Sequence, residues 1–284
     1  MGRRSHIVGV GRQGSCRRVM RIAVVGHVEW VDFLPVGRFP KAGEIGHAVG
    51  AFARAAGGGG VVAGVLAELG AAVDFFCALG RDGPGRAAAA QFEERGVRAH
   101  VAWRDQPTRR AVTLLDRTGE RTIITIGERL DPSGADELEW GRIAEADGVY
   151  FTAGDRAAVQ RARAAPLLVA SPRARGALEG GSPAIDALVF SARDASEGEW
   201  ARRVGDRVRL HVATDGARGG RWWGKGEGRW RAAPLPGERR DAYGCGDAFA
   251  AGFTFGLAAG RSIDEAAAFG AACGARWLTR AGAP

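Results

Sequence analysis

Apolar residues recur along this chain in two patterns, as short continuous runs and as helically spaced stripes. Runs such as residues 22–25 and 72–79 are typical of strands that are buried on both faces, as in a parallel sheet. A stripe such as Val62, Val65 and Leu69 indicates a helix with one apolar face. Runs and stripes alternate as they do in βαβ units, so we predict an α/β fold with a central, mostly parallel sheet between helices.

The alternation continues through the second half of the chain. It predicts helices near residues 136–146, 155–164 and 173–179 and strands at residues 148–152, 166–170 and 186–190. A last apolar stripe predicts a helix over residues 263–278. The chain is therefore expected to build its sheet from helix–strand repeats along most of its length.

Charge changes this picture only at the start of the chain. The net charge is +8 over 284 residues, and five arginines with no acidic residue lie within residues 1–19. The remainder is mildly basic and its aromatic residues do not interleave with an arginine stripe, so we expect no nucleic-acid partner. We expect residues 1–19 to form a disordered extension, residues 20–284 to form one domain, and Met20 to be a candidate natural start.

Two further classes of protein are disfavoured by composition. No apolar run reaches the length of a membrane-spanning helix, so we expect no membrane partner. The four cysteines, Cys16, Cys77, Cys245 and Cys273, lie far apart without a C-x-x-C pair or clustered histidines. This spacing indicates neither a disulfide framework nor a zinc site, and a reducing, cytoplasmic location fits it best.

The strongest chemical signal is a glycine turn that runs directly into a helix. Gly244 and Gly246 flank one residue, Asp247 follows at once, and apolar residues recur at helical spacing from Phe249 onward. The free amides of such a first turn and the helix dipole attract an anion such as a phosphate. Asp247 is placed to accept a proton from a hydroxyl nucleophile beside that anion. The alternative is an aspartate that only caps the helix.

The residues from Asp241 to Asp247 resemble the D-T-x-G-A-G-D signature of the ribokinase-like (PfkB) carbohydrate kinases, with Ala242 for the usual Thr and Cys245 for the usual Ala. The resemblance covers about residues 20–284. It implies that Asp247 is the catalytic base. It also implies that the backbone amides of the turn form the anion hole, at Gly244, Cys245 and Gly246.

The family resemblance carries further expectations about fold and cofactors. It implies a three-layer α/β/α fold with a small β-strand lid. Residues near 31–48 and 97–126 are expected to build that lid, since residues 97–126 alternate, are rich in β-forming residues and contain a hairpin turn at residues 118–120. ATP and Mg²⁺ are the implied cofactors.

The resemblance places a substrate site in the first half of the chain. In the family, an acidic residue just past the first strand binds sugar hydroxyls, and a glycine-rich loop contacts the same ligand. The candidates here are Asp32, with Glu29 as runner-up, and the loop residues Gly58 and Gly59, with Val61 where the family has Asn. Arg109 beside this site indicates an anionic substrate group or, alternatively, a solvated surface charge.

The nucleotide site is expected in the second half. Ser191–Asp194 occupies the place of the family's N-x-x-E, whose acid helps to position magnesium and phosphates, so Asp194 is assigned that role. A stretch similar to the family's T-x-G-x-x-G assigns Thr214, Gly216 and Gly219 to the nucleotide. Asp241, the first residue of the signature, is assigned to it as well.

These features together predict an ATP-dependent phosphotransferase that phosphorylates a hydroxymethyl group of a sugar or sugar-like molecule. Two alternatives stay open, a nucleoside kinase of the same fold and a sugar or nucleotide sensor that has lost catalysis. The expected partner is a small sugar-like substrate, and the lid is expected to form a homodimer.

Overall fold

The computed structural model describes residues 18–180 and 183–280, so the expected extension over residues 1–19 lies outside the described residues except for its last two. The strands are β1 Arg21–Val25, β2 Glu29–Pro35, β3 Phe52–Ala56, β4 Ala72–Gly80, β5 Val97–Arg104, β6 Arg110–Leu115, β7 Arg121–Ile126, β8 Gly148–Phe151, β9 Leu168–Ala170, β10 Ala187–Ser191, β11 Leu210–Thr214, β12 Gly220–Gly224 and β13 Gly226–Trp230. The α-helices are α1 Gly57–Glu68, α2 Gly83–Glu94, α3 Arg156–Ala162, α4 Arg175–Leu178, α5 Ala195–Arg203, α6 Cys245–Ala258 and α7 Ile263–Leu278.

Nine of the described strands form one sheet, in the order β13-β12-β11-β10-β9-β8-β1-β4-β5. Neighbours from β11 to β5 pair in parallel, and β12 and β13 add an antiparallel edge. The continuous apolar runs predicted parallel strands correctly, because a strand covered by helices on both faces has no polar side. The carboxyl ends of the parallel strands meet at one edge of the sheet, where ligands usually bind in open α/β sheets.

Helices cover both faces of this sheet. Along β1, Ile22 and Val24 face a core shared with α1, α2, α6 and α7, whereas Ala23 and Val25 face a core shared with α3, α4 and α5. Consecutive residues of a strand point to opposite faces, so an unbroken apolar run fills both cores. The predicted three-layer α/β/α architecture is confirmed.

A second sheet of four strands, in the order β3-β2-β6-β7, forms the lid. Its bounds differ from the predicted residues 31–48 and 97–126. β5 pairs in parallel with β4 and is the edge strand of the central sheet, so the second lid segment begins at β6. An edge strand and a lid strand both have one exposed face, and periodicity alone does not separate them. β3 was missed because its sequence, Phe-Ala-Arg-Ala-Ala, contains no β-branched residue.

The helix expected over residues 136–146 is the largest error in the second half. Only Trp140–Glu145 is helical there, as a 3-10 helix. The preceding segment is held in turns, because the Asp136 carboxylate accepts hydrogen bonds from the Ser133 amide at 2.7 Å and from the Arg104 guanidinium at 2.7 Å. The other predicted elements of this half agree with the structure to within a few residues, including the last helix over residues 263–278.

Candidate active site

The turn that opens α6 has the geometry of an anion-binding site. Gly244 adopts a positive φ of 77° that a residue with a side chain rarely takes, and a Cβ there would lie 3.0 Å from Val61. No side chain caps α6, so the first-turn amides of Gly246 and Asp247 lack an intrahelical acceptor. A Cβ at Gly246 would meet no protein atom within 4 Å, so this position faces open space. An exposed glycine thus lies next to the uncapped start of the helix.

Asp247 lies in the first turn of α6 and is buried, with 8% of its surface exposed. Its Oδ1 accepts a hydrogen bond from Nη1 of Arg173 at 2.8 Å, which contradicts the alternative that the carboxylate only caps the helix. Burial raises the pKa of the Asp247 carboxyl, and the Arg173 guanidinium opposes that rise. The site thus holds a desolvated carboxylate that accepts a hydrogen bond from a guanidinium.

The two acidic candidates on β2 point to opposite faces of the lid. Glu29 lies on the buried face with Val31 and Phe33, whereas Asp32 lies on the other face and pairs with Arg110 at 2.7 Å. Glu29 Oε1 is 3.1 Å from Nε of Arg109. Burial raises the pKa of the Glu29 carboxyl, Arg109 opposes this, and the charge of Asp247 is close enough to raise it further. The structure therefore places the runner-up Glu29 on the buried face of the lid and Asp32 on the other face.

The predicted glycine-rich loop forms the first turn of α1, which begins at Gly57, beside the same site. The amides of Gly58 and Gly59 donate to Nε2 of His27 at 3.3 Å and to the His27 carbonyl at 3.2 Å. Both amides thus have a protein acceptor, and the predicted contact of Gly58 and Gly59 with the substrate stays a prediction. The amide of Gly57 donates to the Tyr243 hydroxyl at 3.2 Å and so ties the loop to the α6 turn.

His27 is a residue of the site that sequence reasoning missed. Burial lowers its pKa well below the ordinary value, and the positive charges of Arg173, Arg129 and Arg109 lower it further. His27 is therefore neutral, in agreement with its Nε2 accepting the Gly58 amide proton. The positive charges of these three arginines thus lie close enough to His27 to disfavour its protonation.

A cavity of about 640 Å³ opens beside Arg173 at the carboxyl edge of the sheet. Asp194 lines it and caps α5, since its Oδ1 accepts the amides of Ser196 at 2.9 Å and Glu197 at 3.2 Å. Hydrogen bonds from Ser196 lower the pKa of the Asp194 carboxyl. Glu197, which was not predicted, lines the cavity three residues further on, and burial raises the pKa of its carboxyl.

The other predicted nucleotide residues shape loops. Thr214 ends β11 and donates from its hydroxyl to the Phe190 carbonyl at 3.2 Å. Gly216 and Gly219 have φ of 58° and 82° in the turn to β12. Asp241 is buried and accepts the Tyr243 amide at 2.7 Å, which fixes the chain just before Gly244. Asp194 is the one residue of this predicted set among the described residues lining the cavity.

Two structural findings concern ligands and location. Across residues 18–180 and 183–280, there is no group of three or more His, Cys, Asp or Glu side chains that could hold a metal ion. None of the helices formed by these residues has the length and apolar character needed to cross a membrane.

A three-layer α/β/α domain with a small lid, and a glycine turn with a buried aspartate at the carboxyl edge of its sheet, define a ribokinase-like fold. The profile described as "pfkB family carbohydrate kinase" matches residues 20–170 and 187–284. The chain belongs to this family of carbohydrate kinases.

Known relatives agree with this assignment. A segment of the chain is 44% identical over 91 residues to an acarbose 7(IV)-phosphotransferase from an Actinoplanes species, covering 29% of this chain and 30% of that protein. The chain thus spans about a third of that curated relative's length in the match.

Solved structures match over almost the whole chain. The structure of a microbiome-derived acarbose kinase is 22% identical with a TM-score of 0.78, covering 93% of this chain and 94% of that one. The structure of Arabidopsis thaliana ribokinase with ribose and ATP is 20% identical with a TM-score of 0.72, covering 92% and 93%. At these identities the likeness shows the fold.

Proposed function

We propose that this protein transfers the γ-phosphoryl group of ATP to a hydroxymethyl group of a sugar or sugar-like molecule, with Asp247 as general base. The observation that carries the proposal is the position of the buried Asp247 carboxylate in the first turn of α6, beside the uncapped helix start and the exposed Gly246. Phosphoryl transfer needs mainly positioning and charge stabilisation, and this arrangement supplies both.

The proposed step follows from these groups. The substrate hydroxyl oxygen forms a bond to the γ-phosphorus, and its proton passes to the Asp247 carboxylate. The bond from the γ-phosphorus to the bridging oxygen breaks, and ADP leaves with that electron pair. The amides of Gly246 and Asp247 stabilise the negative charge on the transferred group, because they are fixed before the reaction begins.

ATP as donor is supported by the family and by the solved ribokinase that contains ATP. Mg²⁺ usually binds through one or two carboxylates while phosphate oxygens and water complete its shell. Asp194 and Glu197 line one cavity, so this pair fits such an ion even though a larger cluster is lacking among the described residues. When bound there, the ion would neutralise charge on the phosphates.

The substrate is proposed to lie between Asp247 and the buried face of the lid. Glu29 and Arg109 lie on this side of β2, and they supply an acceptor and a donor for hydroxyl groups. The curated relative that acts on acarbose supports a sugar-like molecule over a nucleoside.

Turnover of ATP against neutral sugars, acarbose, sugar phosphates and nucleosides tests this proposal. We expect ADP release with a sugar or pseudo-sugar, and a phosphoryl group on a primary hydroxyl by phosphorus NMR. Turnover restricted to nucleosides would replace the substrate proposal. ATP binding without turnover of any acceptor would favour the alternative of a sugar or nucleotide sensor that has lost catalysis.

We also propose a homodimer through the outer face of the lid. On this face Asp32, Val112 and Ile124 lie in register, and Ile124 and Ile126 are 57% and 49% exposed. A second copy would cover these side chains, and burial of their apolar surface would stabilise the dimer. Ile124→Lys is expected to convert a dimer to a monomer in analytical ultracentrifugation, and a wild-type monomer would contradict the proposal.

A further inference from the structure

The backbone of Arg173 is packed into the fold, while its side chain extends into the site. It belongs to the 3-10 helix Pro172–Ala174, which follows β9 at the carboxyl edge of the sheet, and its two helix neighbours are buried. The Arg129 guanidinium donates to the Arg173 carbonyl at 3.4 Å. The Arg173 side chain itself remains 44% exposed. A fixed backbone with an accessible guanidinium is suited to contact with a ligand.

The surrounding chain leaves room for this guanidinium. A Cβ at Gly58 would lie 2.7 Å from Nη1 of Arg173, so a residue with a side chain in this loop position would displace it. Nη1 is also the atom that donates to Asp247 at 2.8 Å. The guanidinium therefore lies between the glycine-rich loop and the turn that opens α6.

The negative charge of Asp247 opposes the approach of a phosphate, and the Arg173 guanidinium can offset that repulsion. A buried carboxylate repels an incoming phosphate at the neighbouring amides, since little water screens the two negative charges. A guanidinium carries five N–H donors, so it can contact the carboxylate and a phosphoryl oxygen at the same time. Arg173 also lines the 640 Å³ cavity, with Arg129 and Arg175 beside it.

We propose that Arg173 is a catalytic residue that binds the transferred phosphoryl group, and that its ion pair with Asp247 is the contact made before the nucleotide arrives. This inference rests on the proposed phosphotransferase function. As the bond to the substrate oxygen forms and the bond to the leaving ADP breaks, the guanidinium stabilises charge on the same phosphoryl oxygens as the α6 amides. The competing explanation is that Arg173 only neutralises Asp247.

Binding measurements separate these explanations without requiring a sugar acceptor. In Arg173→Gln, the dissociation constant of a non-hydrolysable ATP analogue is expected to rise about tenfold to hundredfold, the effect of losing hydrogen bonds to a charged group. The dissociation constant of ADP, which lacks the γ-phosphoryl group, is expected to stay close to the wild-type value. Isothermal titration calorimetry measures both. Arg175→Gln is the matched control, and it should raise the dissociation constants of the two nucleotides to a similar, small extent.

The same substitution in an Asp247→Asn background decides whether the contact is direct. If Arg173 binds the phosphoryl group, Arg173→Gln still weakens binding of the ATP analogue more than binding of ADP when position 247 carries no charge. An unchanged ratio of the two dissociation constants in that background would overturn the proposal, because Arg173 would then act only on Asp247. Thermal unfolding of each variant shows whether the fold is retained. If the Arg173→Gln variant is unstable, Arg173→Lys replaces it. Because Lys keeps the positive charge, this variant should retain part of the selectivity for the ATP analogue over ADP.

Failure of this inference is distinguishable from failure of the proposed function. A wild-type protein that binds neither ATP nor its analogue would contradict the phosphotransferase proposal and this inference together. A wild-type kinase whose Arg173→Gln variant keeps normal selectivity for ATP over ADP would contradict the inference alone.

Discussion

The phosphate side and the substrate side of this site are built in different ways. On the phosphate side, the proposed anion hole and the proposed base come from consecutive residues, Gly244 to Asp247, at the turn that opens α6. On the proposed substrate side, Glu29 and Arg109 come from distant parts of the chain and meet because β2 and the segment before β6 lie side by side. A local turn is fixed by its own sequence, whereas a paired strand needs its neighbours to decide which residues face the ligand.

The largest expected effect is on the phosphate side. Asp247→Asn should lower kcat by about a hundred- to ten-thousand-fold, because the amide cannot accept the hydroxyl proton. Binding of ATP should be retained, and the fold should survive because Arg173 is partly exposed and stays solvated without its partner. Steady-state kinetics and calorimetry measure the two effects. A variant that keeps more than about a tenth of the wild-type kcat would remove Asp247 from the base role.

The substrate side is tested by a pair of carboxylates on one strand. Glu29→Gln should raise KM for the sugar by about tenfold to hundredfold, the range for a lost hydrogen bond to a charged group. Asp32→Asn, on the opposite face of β2, should change KM by less than about twofold, as expected of an exposed ion pair. The reverse ranking in KM would show that the outer face of the lid binds the sugar.

An effect on ATP affinity is expected from the glycine turn that opens α6. Gly246→Ala adds a methyl group that meets no protein atom within 4 Å, so the stability of the fold should not change through a clash. The methyl group would instead intrude on the bound phosphate and weaken ATP binding by about 1–3 kcal/mol, the usual cost of overpacking.

A control for this substitution is available elsewhere in the chain. Gly141→Ala, at another position whose Cβ would meet nothing within 4 Å, should leave ATP binding unchanged. Equal ATP affinity of the Gly246→Ala variant and the wild type would place the phosphate away from this turn.

The sequence was sufficient where local pattern determines structure. The glycine turn before α6 and the last helix both match their predictions. Each depends on residues within a few positions of one another. The parallel sheet was equally clear, because burial on both faces imposes continuous apolar runs.

The sequence was insufficient where tertiary packing selects the side chains. Arg173 and Glu197 reach the site from segments that follow β9 and β10, and no local motif distinguishes them from other charged residues. One available signal was their place just after predicted parallel strands, since such carboxyl ends meet at one edge. The choice between Glu29 and Asp32 depends on which face of β2 is buried, and only the pairing of β2 with β3 and β6 determines that.

The pH dependence of kcat/KM tests most directly whether Asp247 takes the substrate proton. A base must be ionised, and burial raises the pKa of this carboxyl from its ordinary value of 3.8 against the opposing Arg173. Activity should therefore fall as pH decreases through a pKa above that value. This acidic limb should vanish from the residual activity of Asp247→Asn and persist in Glu29→Gln, the neighbouring carboxylate whose pKa burial also raises. An acidic limb that survives in Asp247→Asn, or that disappears in Glu29→Gln, would contradict the assignment of Asp247 as the base.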